Sequence, residues 1–192
     1  VTTGHIATRR LSVFEQISVD GFFADERGDM SWAHRADPEW TQWTEENTRS
    51  DAVLLFGRVT YELMARFWPT ELAVRTAPVI AAQMNARPKV VFSRTLTSAA
   101  WENTTLVRED AVEAVRAMKR EAGPDLVVLG SGSLVAQLTE ARLVDRYTIV
   151  VCPIVLGRGR ALFAGLSDRA PLTLAASRAF GNGNVVLTYA SA

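Results

Sequence analysis

Along the chain, short apolar runs rich in β-branched residues alternate with segments whose apolar positions recur at three- and four-residue intervals. The runs suit buried strands and the intervening segments suit helices packed on them. Their alternation predicts an α/β domain with a largely parallel sheet. Strands are expected over 11–19, 52–56, 89–93, 126–130, 145–155, 172–180 and 184–190, with a weaker one at 104–107. Helices are expected over 38–49, 59–66, 73–86, 110–122 and 133–141. Asp37 stands before Pro38 as an N-cap stands before a first-turn proline, and Gly123-Pro124 closes the fourth helix. The last two strands flank Gly181-Asn182-Gly183-Asn184, residues that tolerate positive φ, so an antiparallel hairpin at the sheet edge is expected. Residues 1–192 read as one domain, with 1–8 a loose end that has no packing pattern.

Composition narrows the classes. Apolar residues at 48% and charged residues at 22% are ordinary for a globular domain. No apolar run reaches the roughly 18 residues of a membrane span, and no signal-peptide pattern is visible, so a cytoplasmic protein without a membrane partner is expected. The 21 cationic residues balance 21 acidic ones, which gives no global field for nucleic acid. The lone cysteine, Cys152, lies in an apolar run without Cys or His at metal-ligand spacing; it reads as core, and no metal is expected.

The chemistry gathers at strand ends. Ala52–Phe56 runs into Gly57, then Arg58, with Thr60 in the first turn of the next helix. A strand that ends in glycine and leads into a helix points unpaired N–H groups at whatever lies above it, the place where open α/β sheets bind ligands. A second such end carries Gly130-Ser131-Gly132-Ser133 before an apolar helix, an arrangement that can cradle a pyrophosphate on backbone amides. It lacks the third glycine of the dinucleotide fingerprint and the lysine of a P-loop. A third end carries Ser93-Arg94. Together the three could hold one extended ligand with several phosphates; separately, each could be a solvated strand end.

The stretches GRVTYE, VVFSR and VVLGSGS, in this order and spacing, resemble the NADPH-binding elements of dihydrofolate reductase and of the riboflavin-pathway reductase domain. ISVDGFFADERGDMSW resembles that fold's first strand, short second strand and active-site loop, while the stretch from Ser131 to Phe163 is closer to the riboflavin-type branch. The resemblance implies a three-layer α/β/α fold, a mostly parallel sheet with a C-terminal antiparallel hairpin, and NADPH-dependent reduction of a small heterocycle, pterin-like or pyrimidine-like. It places Arg58, Arg94 and Ser93 at the adenosine 2′-phosphate. Thr60, Gly130, Ser131, Gly132 and Ser133 would lie at the pyrophosphate, and Gly57 and Leu134 would also bind the cofactor. Gln16, Ile17, Val19, Asp20 and Phe23 would border the nicotinamide. In dihydrofolate reductase a carboxylate five residues after the loop tryptophan contacts the pterin and assists its protonation. Counting from Trp32 gives Asp37, so Phe23, Trp32 and Asp37 become substrate-side candidates and Asp37 the candidate acid; Asp37 is equally a helix cap. A homodimer is implied for this branch. The alternative is a nucleotide-binding or interaction domain that keeps the fold without hydride transfer.

Overall fold

Strand β1 (Leu11–Ser18) alternates inward apolar and outward positions and becomes an inner strand of an eight-stranded sheet. The structure is a computed structural model that describes residues 9–192; the loose end expected for 1–8 lies outside them. The elements that follow are β2 (Phe22–Ala24), a 3-10 turn over Ser31–Ala33, α1 (Pro38–Thr48), β3 (Val53–Gly57), α2 (Arg58–Phe67), α3 (Glu71–Thr76), α4 (Pro78–Ala86), β4 (Lys89–Phe92) and β5 (Thr104–Val107). Then come α5 (Ala111–Arg120), β6 (Leu126–Val128), α6 (Gly132–Glu140), β7 (Arg146–Cys152), β8 (Arg160–Ala161), β9 (Leu172–Ala179) and β10 (Val185–Ser191).

The sheet order is β5-β4-β3-β6-β1-β7-β10-β9. Its strands are parallel from β5 to β7, and the hairpin β9–β10 closes one edge antiparallel, as the sequence pattern predicts. Leu11, Val13, Leu55 and Val128 face α5 and α6, whereas Leu54, Phe56 and Val91 face α2 and α4. Phe14 and Val150 face α1 and the hairpin through Trp40, Trp43 and Phe180. Helices therefore cover both faces, giving three α/β/α layers. A separate two-stranded clip joins β2 to β8.

Some boundaries differ from expectation for local reasons. The single helix expected over 73–86 is two, α3 and α4, because Pro78 disfavours helical geometry at the residue before it, and Ala77 sits at φ −144, ψ 62. The strand expected over 126–130 stops at Val128, since Gly130 turns to φ 91, and that over 145–155 stops before Pro153. Helix α4 has no basic residue in its last turn. Lys89 serves instead, its Nζ donating to the carbonyls of Met84 (2.8 Å), Asn85 (3.0 Å) and Arg87 (2.7 Å).

Candidate functional site

The carboxyl ends of β4, β3, β6 and β1 lie side by side. Leu55 and Val13 both pair with Val128, and Gly57 N–H donates to Gly130 C=O at 3.2 Å, so the glycines of two strand ends are neighbours. Phe92 is in register with Gly57, which brings Ser93-Arg94 out of the sheet beside Arg58. From β4 to β1 is three strand spacings, about 14 Å, room for an extended diphosphate ligand. Glycine is required here by contact as well as conformation. A Cβ on Gly130 would lie 2.9 Å from Thr60 Oγ1 and 3.0 Å from Glu15 Oε1, a Cβ on Gly57 would strike Ser131 Oγ, and one on Gly132 would strike the Phe23 ring. The structure thus gathers Gly57, Thr60, Gly130, Ser131, Gly132 and Phe23 into one cluster.

Helices α2 and α6 both start at this cluster, and neither N-cap, Gly57 or Ser131, makes a side-chain capping bond. Apart from that of Leu134, their first-turn amides are therefore available to an anion. Ser131 and Ser133 hydroxyls stand 3.5 Å apart at the rim. Leu134 is different: its side chain is in the core and its amide donates to Ser131 C=O, so it anchors the loop from beneath. Arg58 is partly exposed and pairs with Glu62 at 3.1 Å, and Arg94 is exposed. Ser93 Oγ accepts from the amides of Thr95 and Leu96, which fixes the turn that presents Arg94.

Beyond β1 the chain is fastened to the segment after β7. Val19 N–H donates to Ile154 C=O, and Asp20 accepts from the amides of Leu156 (3.1 Å) and Gly157 (2.7 Å). Hydrogen bonding to the Ser18 hydroxyl, with those amides adding, holds the Asp20 carboxyl below its usual range. Asp20 therefore ties the loop bordering the site. Gln16 and Ile17 stand half-buried at the end of β1, on opposite faces of the sheet.

Asp37 is the N-cap of α1: Oδ1 accepts from Trp40 N–H at 2.7 Å, and Oδ2 abuts Gly181 of the hairpin turn, 2.9 Å from where a Cβ would be. Trp32 packs with the α1–hairpin cluster and donates from Nε1 to Asp29 C=O. These two stand with the layer under α1 rather than in the glycine cluster.

The residue that sequence reasoning passed over is Glu15. It is 5% exposed, and its Oε1 has no hydrogen-bond partner among the described residues. Burial pushes its carboxyl up to about 8, so it is neutral at pH 7. Its signal was present: Glu15 stands in phase with Leu11, Val13 and Ile17, a carboxyl at an inward position. Among the described residues no His/Cys/Asp/Glu group is arranged to hold a metal.

The sequence profile of the RibD C-terminal domain matches residues 9–186. The chain belongs to that family. Two uncharacterized Bacillus subtilis (strain 168) proteins are similar along almost their whole length. YyaP is 27% identical, covering 97% of each chain, and YwjB is 28% identical, covering 90% of this chain and 93% of its own. Solved structures share the fold. A candidate riboflavin biosynthesis protein from Shewanella sp. PV-4 has TM-score 0.72 at 24% identity, covering 95% of this chain and 99% of that one. A diaminohydroxyphosphoribosylaminopyrimidine deaminase/5-amino-6-(5-phosphoribosylamino)uracil reductase from Thermotoga maritima has TM-score 0.67 at 16% identity. The match covers 96% of this chain and 57% of that one. These are dihydrofolate reductase-like folds, as the motif order implies.

Proposed function

We propose that the protein is an NADPH-dependent reductase of a small nitrogen heterocycle, pterin-like or pyrimidine-like. The observation that carries the reading is the row of adjacent parallel strand ends, where close-approach glycines and uncapped helix starts meet a buried carboxyl whose Oε1 has no partner among the described residues. Membership of the RibD C-terminal domain family and the reductase named from Thermotoga maritima support it.

The residues present suit the cofactor, because the glycine cluster lets backbone approach where any side chain would collide. Thr60 and the first-turn amides of α6 would bind the pyrophosphate, and Arg58 and Arg94 would grip the 2′-phosphate with charge-assisted bonds. Gln16, Ile17, Val19 and Phe23 would border the ring and keep water away. When bound, NADPH supplies the hydride; the chain orients it and shields the transfer. Asp37 enters this proposal as the cap that sets α1 against the hairpin.

A homodimer belongs to the same proposal. Among the described residues β9 pairs only with β10, its residues are exposed, and it displays Leu172 and Leu174. Sedimentation of the full chain should show a dimer that Leu174→Asp converts to monomer.

The test of the activity is NADPH oxidation followed at its own absorbance with dihydrofolate, pterins and aminopyrimidinediones. Turnover with one of these is expected. Tight NADPH binding with no turnover on any would favour a nucleotide-binding domain, and no binding would remove the cofactor assignment.

A further inference from the structure

The two faces of the central strands are covered unequally. On the face under α5 and α6, Leu11, Val13, Leu126 and Val128 are fully buried, as inner parallel strands with helices on both sides should be. On the face under α1, α2 and α4, Phe14 and Gln16 of β1, Val127 of β6 and Leu129 just after it are only half-buried. Their neighbours to either side, Leu54 and Phe56 of β3 and Val150 and Cys152 of β7, are fully buried. Register puts these residues on one side of the sheet, since Leu54 pairs with Val127 and Gln16 with Val150. A furrow therefore runs along β6 and β1. It lies between two separate apolar clusters, one built on Phe56, Tyr61 and Met84 and the other on Trp40, Phe180 and Val186. Trp43 of α1 stacks on Phe14 at 6.2 Å and gives the furrow an aromatic wall.

Gln16 stands at the carboxyl end of this furrow. Val13 pairs with Val128, and continuing that register sets Gln16 level with the Gly130-Ser131 turn, on the opposite face of the sheet from Glu15. Phe14, Val127 and Leu129 are apolar, so among the furrow residues Gln16 alone carries a hydrogen-bonding side chain. Ser12, further back on the same face, gives its hydroxyl to the Leu126 carbonyl at 3.2 Å. An apolar floor, an aromatic wall and one amide at the open end suit a planar ring with one polar edge.

Building on the cofactor reading above, in which the end of β1 borders the nicotinamide, we propose that the heterocycle lies in this furrow and that the Gln16 carboxamide sets specificity by pairing with its lactam edge. A carboxamide holds a donor and an acceptor side by side. A ring N–H next to a C=O is its complement: Gln16 Nε2 donates to the ring carbonyl, and Oε1 accepts from the ring N–H. Pterins and aminopyrimidinediones share this edge, at N3–H and C4=O. Once the ring covers the carboxamide, a substrate without that N–H leaves Oε1 unpaired, and sites built in this way reject such analogues.

Binding to the full chain saturated with NADP+, which has no hydride to give, tests this without turnover. Calorimetry compares 5,6-diaminouracil and pterin with their N3-methyl derivatives. At least one parent ring should bind, and its methyl derivative should bind about tenfold or more weakly. Gln16→Leu should weaken the parent ring about tenfold and leave less than about threefold between the two rings. Gln16→Ala leaves room for the methyl group, so it separates a lost hydrogen bond from a clash, and it serves as the second variant should Leu disturb the fold. Equal affinities for parent and methyl derivative in the unmodified protein, a preference that survives both substitutions, or no binding of either parent ring overturns the assignment and leaves the cofactor reading standing. A loss of NADP+ affinity as large as the loss of ring affinity makes the Gln16 side chain a cofactor contact and overturns it too. Absence of binding by both NADP+ and NADPH overturns the reductase reading itself.

Discussion

Ser131 occupies the space that a side chain on Gly57 would need, so the ends of β3 and β6 interlock through one hydroxyl and one missing methyl. Gly57→Ala is expected to push Ser131 outward, costing about 1 to 3 kcal/mol by overpacking. It should also weaken NADPH binding by disturbing the start of α6. Ser131→Ala removes the hydroxyl that the new methyl meets, so the double variant should recover most of the lost stability. A double-mutant cycle in urea measures the coupling. Additive costs would show that the two residues do not touch.

Arg58 must leave Glu62 to reach a phosphate, and the magnitudes favour the move. An exposed pair four residues apart on a helix contributes about 0.3 to 0.5 kcal/mol, whereas a bond to a charged phosphate contributes about 1.5 to 3 kcal/mol. Glu62→Gln should therefore tighten NADPH binding about twofold. Replacing both Arg58 and Arg94 by Ala should erase preference for NADPH over NADH. Dissociation constants for both cofactors, measured by fluorescence, check the pair of expectations.

Asp37 gives one oxygen to the Trp40 amide and sets the other against Gly181. Asn caps as well as Asp, so Asp37→Asn should change stability by less than about 0.5 kcal/mol, while Asp37→Ala should lose about 1 kcal/mol. Single-turnover hydride transfer should be little altered in the Asn variant. A loss of about 10²-fold or more there would return Asp37 to the role of proton donor.

The Glu15 carboxyl is raised from 4.5 to about 8 by burial, so the folded protein holds a proton that the unfolded chain has lost. Stability is then greatest below pH 4.5, as far as this residue is concerned, and falls as pH rises to 8. The full effect is on the order of 5 kcal/mol. Melting from pH 5 to 8.5 should show this decline, and Glu15→Gln should flatten it.

The layers and the hairpin were legible because they follow from period: apolar alternation in β1 and β10, a helical repeat in α5 and α6, and glycines in the turn at 181–184. The break at Ala77 was also in the chain, since Pro78 speaks against a continuous helix, but the apolar repeat on both sides concealed it. β8 was not legible; two residues become a strand only because β2 is there to receive them. Glycines and arginines at strand ends pointed to an anion only when three such ends were taken together, since each alone could be a solvated strand end. Glu15 needed the third dimension, because a carboxyl in an inward phase could have met a cation, and only the packed sheet shows that it meets none among the described residues.

The position of β1 between β6 and β7 has a consequence for how the chain is made. Leu11 pairs with Leu126 and Ser12 with Arg146, so β1 receives both of its neighbours from segments far along the chain. Closing such distant pairs is slow, and a nascent chain would carry β1 unpaired until those segments have been made. Fragments ending before residue 146 lack β7, and their exposed β1 edge makes them candidates for chaperone capture rather than independent folding.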